Sequence, residues 1–196
     1  MIKTHFPQHF PKRRLDALAQ LTIGPHLPSV ANGVIPYLQA RHLSDRGEYL
    51  GSQDSFVAPN DLDTSLLLKP GELVLVAKGT RTPAWAYESQ LGPLVPSSIF
   101  FVIRPLPNVV NPAFLAIFLN LPATQARLQA LAVGSNIPSL RKSELAQLHV
   151  PLPDMDTQCL LVAMQQTHLQ EIRLLEAITS RKTQLFHDLV KQLIPA

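Results

Sequence analysis

From Asp156 to Leu193 the chain contains neither glycine nor proline. Apolar side chains recur through this stretch at intervals of three and four residues, the spacing of one helix face. At ~1.5 Å per residue, a helix of this length reaches about 55 Å, which a domain of this size cannot cover. Asp154 or Asp156 can cap its start, and Pro195 lies just past its end. Leu161, His168, Ile172, Leu175, Phe186, Leu189 and Leu193 fall along one stripe, interrupted by Thr179 and Lys182. This is an imperfect heptad seam. Two arrangements satisfy such a seam. The helix folds back on its own domain, or it pairs with another helix as a coiled coil. No second segment of comparable helical length occurs in the chain, so a coiled coil requires a helix from another chain.

Residues 1 to about 110 follow a different grammar. Prolines and glycines punctuate short apolar runs, of which VIPYL (34–38), ELVLVA (72–77) and SSIFFVIRP (97–105) read as strands. Pro70-Gly71 is a turn feeding the second run. From Asn111 the pattern becomes helical. Asn111 is a good N-cap, Pro112 suits the first helical position, and AFLAIFLN is apolar nearly all round and so expected to be buried. Pro122 opens a second helix to about residue 132, stopping near Gly134. A short helix follows at about 140–146, with Arg141, Lys142 and Glu144 outward. HVPLP (149–153) reads as extended, because each proline biases its predecessor away from helix. The spacing implies a compact, mostly β or α+β domain.

Apolar residues make up 46% of the 196 residues, enough for a folded core with an appendage. The formal charge of +3 permits nucleic-acid contact without demanding it. Cys159 is the only cysteine, which excludes an intrachain disulfide and a cysteine-based zinc site. The N-terminal MIKTHFPQHFPKRR lacks the apolar core of a signal peptide, and no apolar run approaches the ~18–20 residues of a membrane span. A cytoplasmic protein without membrane association is expected.

Catalysis finds no constellation. His168 and Glu171 are three apart but lack a second ligand pair, and His168 falls on the seam. Asp154 and Asp156 stand where acids cap a helix and offset its dipole. His187 and Asp188 are neighbours that point to different sides of a helix. Ser97 and Ser98 lack a nucleophile-elbow context, and no glycine-rich phosphate loop is present. The basic groups are more informative. Lys12, Arg13 and Arg14 form a run that reads either as a solvated arm or as a contact surface. Arg41 and His42 follow the VIPYL strand. Lys78-Gly79-Thr80-Arg81 follows the ELVLVA strand and has the composition of a DNA-touching loop. Glycine admits close backbone approach, Lys and Arg contact phosphate, and Arg can also read guanine. An ordinary polar turn is the alternative. Ser135 and Asn136 read either as helix caps or as donors to DNA.

The stretch from Gly134 to Gln158, GSNIPSLRKSELAQLHVPLPDMDTQ, resembles the boundary segment of the specificity (S) subunits of Type I restriction–modification systems. The matching places are Gly134, Ile137, Leu140, Leu145, Pro151, Pro153 and Gln158. Upstream, VIPYLQARHLSDRGEYL, LKPGELVLVAKGT and NPAFLAIFLN resemble recurring segments of that family's target-recognition domain, in the same order. The resemblance implies an α+β chain. A mixed β/α target-recognition domain (1–153) precedes one long conserved-region helix (154–196) for dimerisation and partner docking. It also implies a non-catalytic subunit that reads a split site in double-stranded DNA and carries methyltransferase (modification) subunits. A restriction subunit joins in the full complex. S-adenosylmethionine, ATP and Mg would belong to those partners, with no cofactor or metal in this chain. A full-length member has two recognition domains and two antiparallel long helices, whereas this chain has one of each. Two copies pairing their helices antiparallel would rebuild the arrangement as a homodimer. The expected DNA-binding residues are Lys78, Gly79, Thr80 and Arg81, then Arg41, with Ser135 and Asn136 after them. The expected partner-helix residues are Leu161, Ile172, Leu175, Phe186, Leu189 and Leu193.

Overall fold

The computed structural model describes residues 10–51, 54–58, 63–134 and 137–194. Ten strands are present among them: β1 (Lys12–Arg14), β2 (Ala19–Ile23), β3 (Ser29–Val30), β4 (Tyr37–Leu38), β5 (Phe56–Val57), β6 (Leu73–Val76), β7 (Ala84–Ala86), β8 (Val95–Pro96), β9 (Phe100–Pro105) and β10 (His149–Pro151). The helices are α1 (Pro112–Asn120), α2 (Pro122–Leu131), α3 (Lys142–Ala146) and α4 (Met155–Leu193). The expected strands stand where the apolar runs placed them, but shortened. VIPYL narrows to Tyr37–Leu38, with Pro36 only bridging Phe56, because proline has no N–H for a ladder. SSIFFVIRP begins its strand at Phe100.

The central sheet has the order β2-β9-β6-β7 and is antiparallel throughout. Its middle strands are apolar at consecutive positions because both of their faces are covered. Leu73 and Leu75 of β6 and Phe101 and Ile103 of β9 point into one core, shared with Leu15, Leu115, Leu119 and Leu145. Val74, Val76, Phe100 and Val102 alternate to the other side, where Leu38, Leu43, Leu68, Trp85 and Leu94 close a second core. The period of two along each strand therefore assigns successive residues to different cores. AFLAIFLN is buried or half-buried along its length, as expected of α1. Asn111 caps that helix, its side-chain oxygen accepting from the N–H groups of Ala113 (2.9 Å) and Phe114 (3.3 Å).

The open edge of the sheet is closed by side chains. Asn120 accepts from the N–H of Ala84 (2.9 Å) and donates to its carbonyl (2.7 Å), imitating one rung of a β-ladder. Gln125 donates to the Thr82 carbonyl (2.8 Å) and accepts from the Thr82 hydroxyl (2.9 Å). An edge strand so occupied cannot template pairing with another chain. Gly47 lies against the same place with φ +75, and a Cβ there would come within 2.2 Å of the Ala84 carbonyl oxygen.

The long helix starts at Met155, capped by Asp154, whose carboxylate accepts from the Thr157 N–H at 2.7 Å. Its first turn is tied into the domain by Gln158, which is buried. The Gln158 amide donates to the carbonyls of Pro153 (2.9 Å) and Val109 (3.2 Å), and its oxygen accepts from the Asn111 N–H (2.8 Å). Leu161 and Val162 then pack on the first core. β1 pairs with β10, so the strand that leads into α4 is itself anchored, and Leu152 donates to Pro11 at 2.8 Å. Lys12, Arg13 and Arg14 thus belong to a strand rather than to a free arm. From Arg173 to Ile194 every residue is exposed, and beyond Glu176, the last residue of α4 ion-paired to the domain, roughly 25 Å of helix projects from it.

Gln158→Ala removes the side-chain partner of the buried Pro153 carbonyl and of two partly buried groups, the Val109 carbonyl and the Asn111 N–H. It is expected to lower the unfolding free energy by about 1–3 kcal/mol, measured by urea titration. Amide exchange at Asn111 should accelerate in the same variant. An unchanged midpoint and unchanged exchange would remove Gln158 as the anchor of the helix.

Candidate nucleic-acid interface

The sequence leaving β6 forms one wall of a surface concavity. Gly79 donates to the Pro138 carbonyl (2.9 Å), Leu140 to the Ala77 carbonyl (2.8 Å), and Lys78 bridges Ser139. Gly79 has φ +127, a conformation that favours glycine, and the chain on the far side is held by Thr82 on Gln125. The backbone of the loop is therefore pinned at both ends, while Lys78, Thr80 and Arg81 are exposed. The facing wall comes from the turn after β4 and the loop that follows it. Arg41, Asp45 and Leu50 line the concavity together with Lys78, Gly79, Thr80 and Arg81. The fold thus gathers the 78–81 loop and Arg41 on one face from separate parts of the chain. Ser135 and Asn136 lie outside the described residues.

Two carboxylates missed by sequence reasoning complete this face. Arg81 forms an ion pair with Asp45. Arg41 presents Nε to Asp54 Oδ2 (3.1 Å) and Nη2 to Oδ1 (2.9 Å), a bidentate contact, and Nη1 bonds Gln39. His42 is buried, and its Nε2 lies 2.7 Å from the same Asp54 oxygen. Bonding from Arg41, and then from His42, lowers the Asp54 carboxyl from 3.8 to about 2. Nothing in the local sequence marks either acid, because each reaches its arginine across a loop.

Beside Asp45, the same loop reaches the helix. Arg46 pairs with Glu176 (3.4 Å) and Glu48 with Arg173 (2.7 Å). Loop 44–49 therefore lines the concavity with Ser44 and Asp45 and braces α4 with Arg46 and Glu48.

The seam expected on α4 divides. Leu161 packs on the domain's own core, and Ile172 is half-buried in the groove that α4 forms with α1 and residues 45–48. Gln158, Leu161, Gln165, Leu169 and Ile172 share that domain-facing side at about 3.6 residues per turn. Leu161 is thus corrected from a partner position to an intrachain one, while Ile172 lines the groove half-buried. A stripe read from spacing alone does not reveal which of two adjacent helix faces the parent domain takes. Leu175, Phe186, Leu189 and Leu193 are exposed. Beside them stand exposed apolar residues that the heptad reading passed over, Leu160, Met164, Ile178 and Leu185. Together with Leu189 these fall on one outward face running most of the helix length. His168 is exposed at the groove edge. Among the described residues no cluster of three or more His, Cys, Asp or Glu side chains could hold a metal, and no helix is long and apolar enough to cross a membrane.

The chain combines a β-rich domain with a projecting helix. The profile of the Type I restriction modification DNA specificity domain matches residues 25–181, and the chain belongs to that family. Solved structures share the fold. One, described for complex assembly and conformational transition of the type I R-M system, is 14% identical, with a TM-score of 0.68 over 95% of this chain and 45% of its own. The Type-I restriction-modification system S subunit from M. genitalium is 18% identical, with a TM-score of 0.64 over 95% and 46%. The HsdS subunit from Thermoanaerobacter tengcongensis is 16% identical, with a TM-score of 0.58 over 91% and 42%. The chain spans less than half the length of each of these structures. No curated protein sequence matches it significantly.

The lowered Asp54 value fixes the sign of a pH effect. A carboxylate depressed on folding contributes in full above its unfolded value and is lost as pH falls through its folded one. The Arg41–Asp54 contact should therefore persist through pH 4 and release near pH 2. A carboxyl-carbon NMR titration should place the Asp54 midpoint near 2, moving towards 3.8 in Arg41→Ala. A midpoint at 3.8 in the unaltered protein would show that the contact does not hold in solution.

Proposed function

We propose that this chain is a DNA sequence-recognition subunit that reads one half of a bipartite double-stranded site. It performs no catalysis and directs methyltransferase (modification) subunits, and a restriction subunit where one is present, to that site. One observation carries the reading: the fold presents Lys78, Thr80, Arg81 and Arg41 on a single concave face of a rigid domain, from which a helix projects with an unpartnered apolar stripe. The pinned 78–81 loop supplies phosphate contacts, and the two arginines supply groups able to read a base edge in the major groove. S-adenosylmethionine, ATP and Mg would be held by the partner subunits.

The outward stripe of Leu160, Met164, Ile178, Leu185 and Leu189 requires cover, and a second copy offers an identical stripe. Antiparallel pairing would set two recognition domains at opposite ends of a common rod. Two-fold symmetry then demands inverted half-sites whose separation follows from the length of the helix. The exposed part of α4 carries acids and bases as well, with Glu176, Arg181, Lys182, Asp188 and Lys191 beside the apolar positions, so register can be set by charge.

A second reading is favoured by the ion pairing of both arginines. A half-subunit whose arginines stay neutralised by Asp45 and Asp54 would act as a protein-interaction module, occupying partner surfaces without reading DNA. The two readings separate on DNA binding in the presence of a modification subunit, which the interaction module should not support.

Light scattering at tens of micromolar is expected to give a dimer. The double variant Ile178→Glu and Leu185→Glu should give a monomer with an unchanged circular dichroism spectrum. A strict monomer for the unaltered chain would sink the paired rod. Arg81→Ala should cost about 1–3 kcal/mol of specific binding and relax one position of the site if it reads a guanine. A uniform loss across sequences would make it a phosphate contact instead. Methylation mapping in cells with and without this chain reads the proposed function directly, since modified sites should disappear when it is absent.

A further inference from the structure

We propose that Arg41 is the principal guanine-reading side chain of this face, and that Asp54 and His42 are positioning residues that aim it. The inference rests on the DNA-reading role proposed above and names the residue and base that dominate it. Arg41 stands on the ridge between two concavities. One holds Lys78, Thr80 and Arg81, and the other is lined by His26, Ser29 and Ser98. A duplex seated across either groove meets the Arg41 guanidinium.

The guanidinium is held from behind by a chain of bonds that begins in the interior. The Gln39 backbone N–H donates to His42 Nδ1 at 3.2 Å. With Nδ1 accepting, the proton of the ring lies on Nε2, which donates to Asp54 Oδ1 at 2.7 Å. Asp54 in turn takes Arg41 side-on, through Nε and Nη2. The Gln39 side chain takes a third bond from Nη1, while its own amide donates to buried Ser55 at 2.8 Å. Arg has five N–H donors, so these three bonds leave two, one each on Nη1 and Nη2, the nitrogens of the end edge. Guanine presents two acceptors in the major groove, O6 and N7, matched by such an edge.

Arg81 is held differently. It pairs with Asp45 through Nη1, whereas Arg41, though also more than half exposed, is bonded at Nε, Nη1 and Nη2. A long side chain fixed before binding loses less freedom on forming its contacts than one fixed only by the ligand. Arg41 is therefore the stringent reader and Arg81 the adaptable one. Stability alone does not explain the arrangement, because exposed arginine–carboxylate pairs contribute little to it. A network that begins at a buried histidine and ends at a solvent-facing guanidinium suits the fixing of direction.

The test uses the full chain in complex with modification subunits and selects from a randomised double-stranded DNA library. Unaltered protein is compared with Arg41→Lys, Asp54→Asn and His42→Gln. The expected result is a loss of about tenfold in guanine preference at one and the same position in all three. Total DNA affinity in Asp54→Asn should stay level or rise, because an anion has been removed from the face. Asp54 is exposed, so Asp54→Asn carries the test even if His42→Gln fails to fold. Asp54→Asn with higher affinity and undiminished preference would make Asp54 a nearby charge only and overturn the assignment. So would a preference in Arg41→Lys equal to that of the unaltered protein. An unaltered complex without any sequence preference would instead overturn the DNA-reading role itself, and this assignment with it.

Discussion

The buried amide of Gln158 joins the two halves of this molecule. It holds the carbonyls of Val109 and Pro153 and the N–H of Asn111, three backbone groups from the approaches to α1 and α4. The Pro153 contact is buried and the other two are partly buried, so the side chain is held in one place and the helix with it. Asn111 simultaneously caps α1, so a single junction sets the starts of both helices. The direction in which α4 leaves the domain follows from this junction, and with it the position of any partner relative to the concave face.

The domain supplies the matching rigidity. Strands β6 and β9 bury successive side chains in two different cores, so neither strand can slide without moving both. Loops that leave such a sheet begin from fixed points. The 78–81 loop is further tied to residues 138–140, and its far end to Gln125. Loop 44–49 connects the concave face with the rod, through Asp45 to Arg81 and through Arg46 and Glu48 to α4. These ion pairs are exposed and screened by salt, so their value lies in geometry more than in stability.

Much of the fold was legible because local rules govern it. Asn111-Pro112 announced a capped helix, Pro70-Gly71 a turn, and the unbroken apolar runs the central strands. The Gly- and Pro-free tail announced a helix longer than its domain could cover. The candidate face was legible only in part. Lys78, Thr80, Arg81 and Arg41 stood out by composition, whereas Asp45 and Asp54 carried no signal, since an acid in a loop has no preferred partner until the loop is placed. The helix seam was misassigned at Leu161 for a related reason. Heptad spacing identifies an apolar stripe, not the surface that covers it.

By itself, then, the sequence determined β4, β6, β9, the four α-helices and their order, and the presence of a projecting amphipathic helix, because hydrophobic period, capping and turn chemistry act over a few residues; β1, β2, β3, β5, β7 and β8 were not legible in it. The tertiary structure decided which face of α4 belongs to its own domain, which loops meet across the concavity, and which arginine is held by an aspartate that a buried histidine also bonds. Those outcomes depend on contacts between residues far apart in the chain, such as Gln158 with Val109 or Arg173 with Glu48, and no local pattern encodes them.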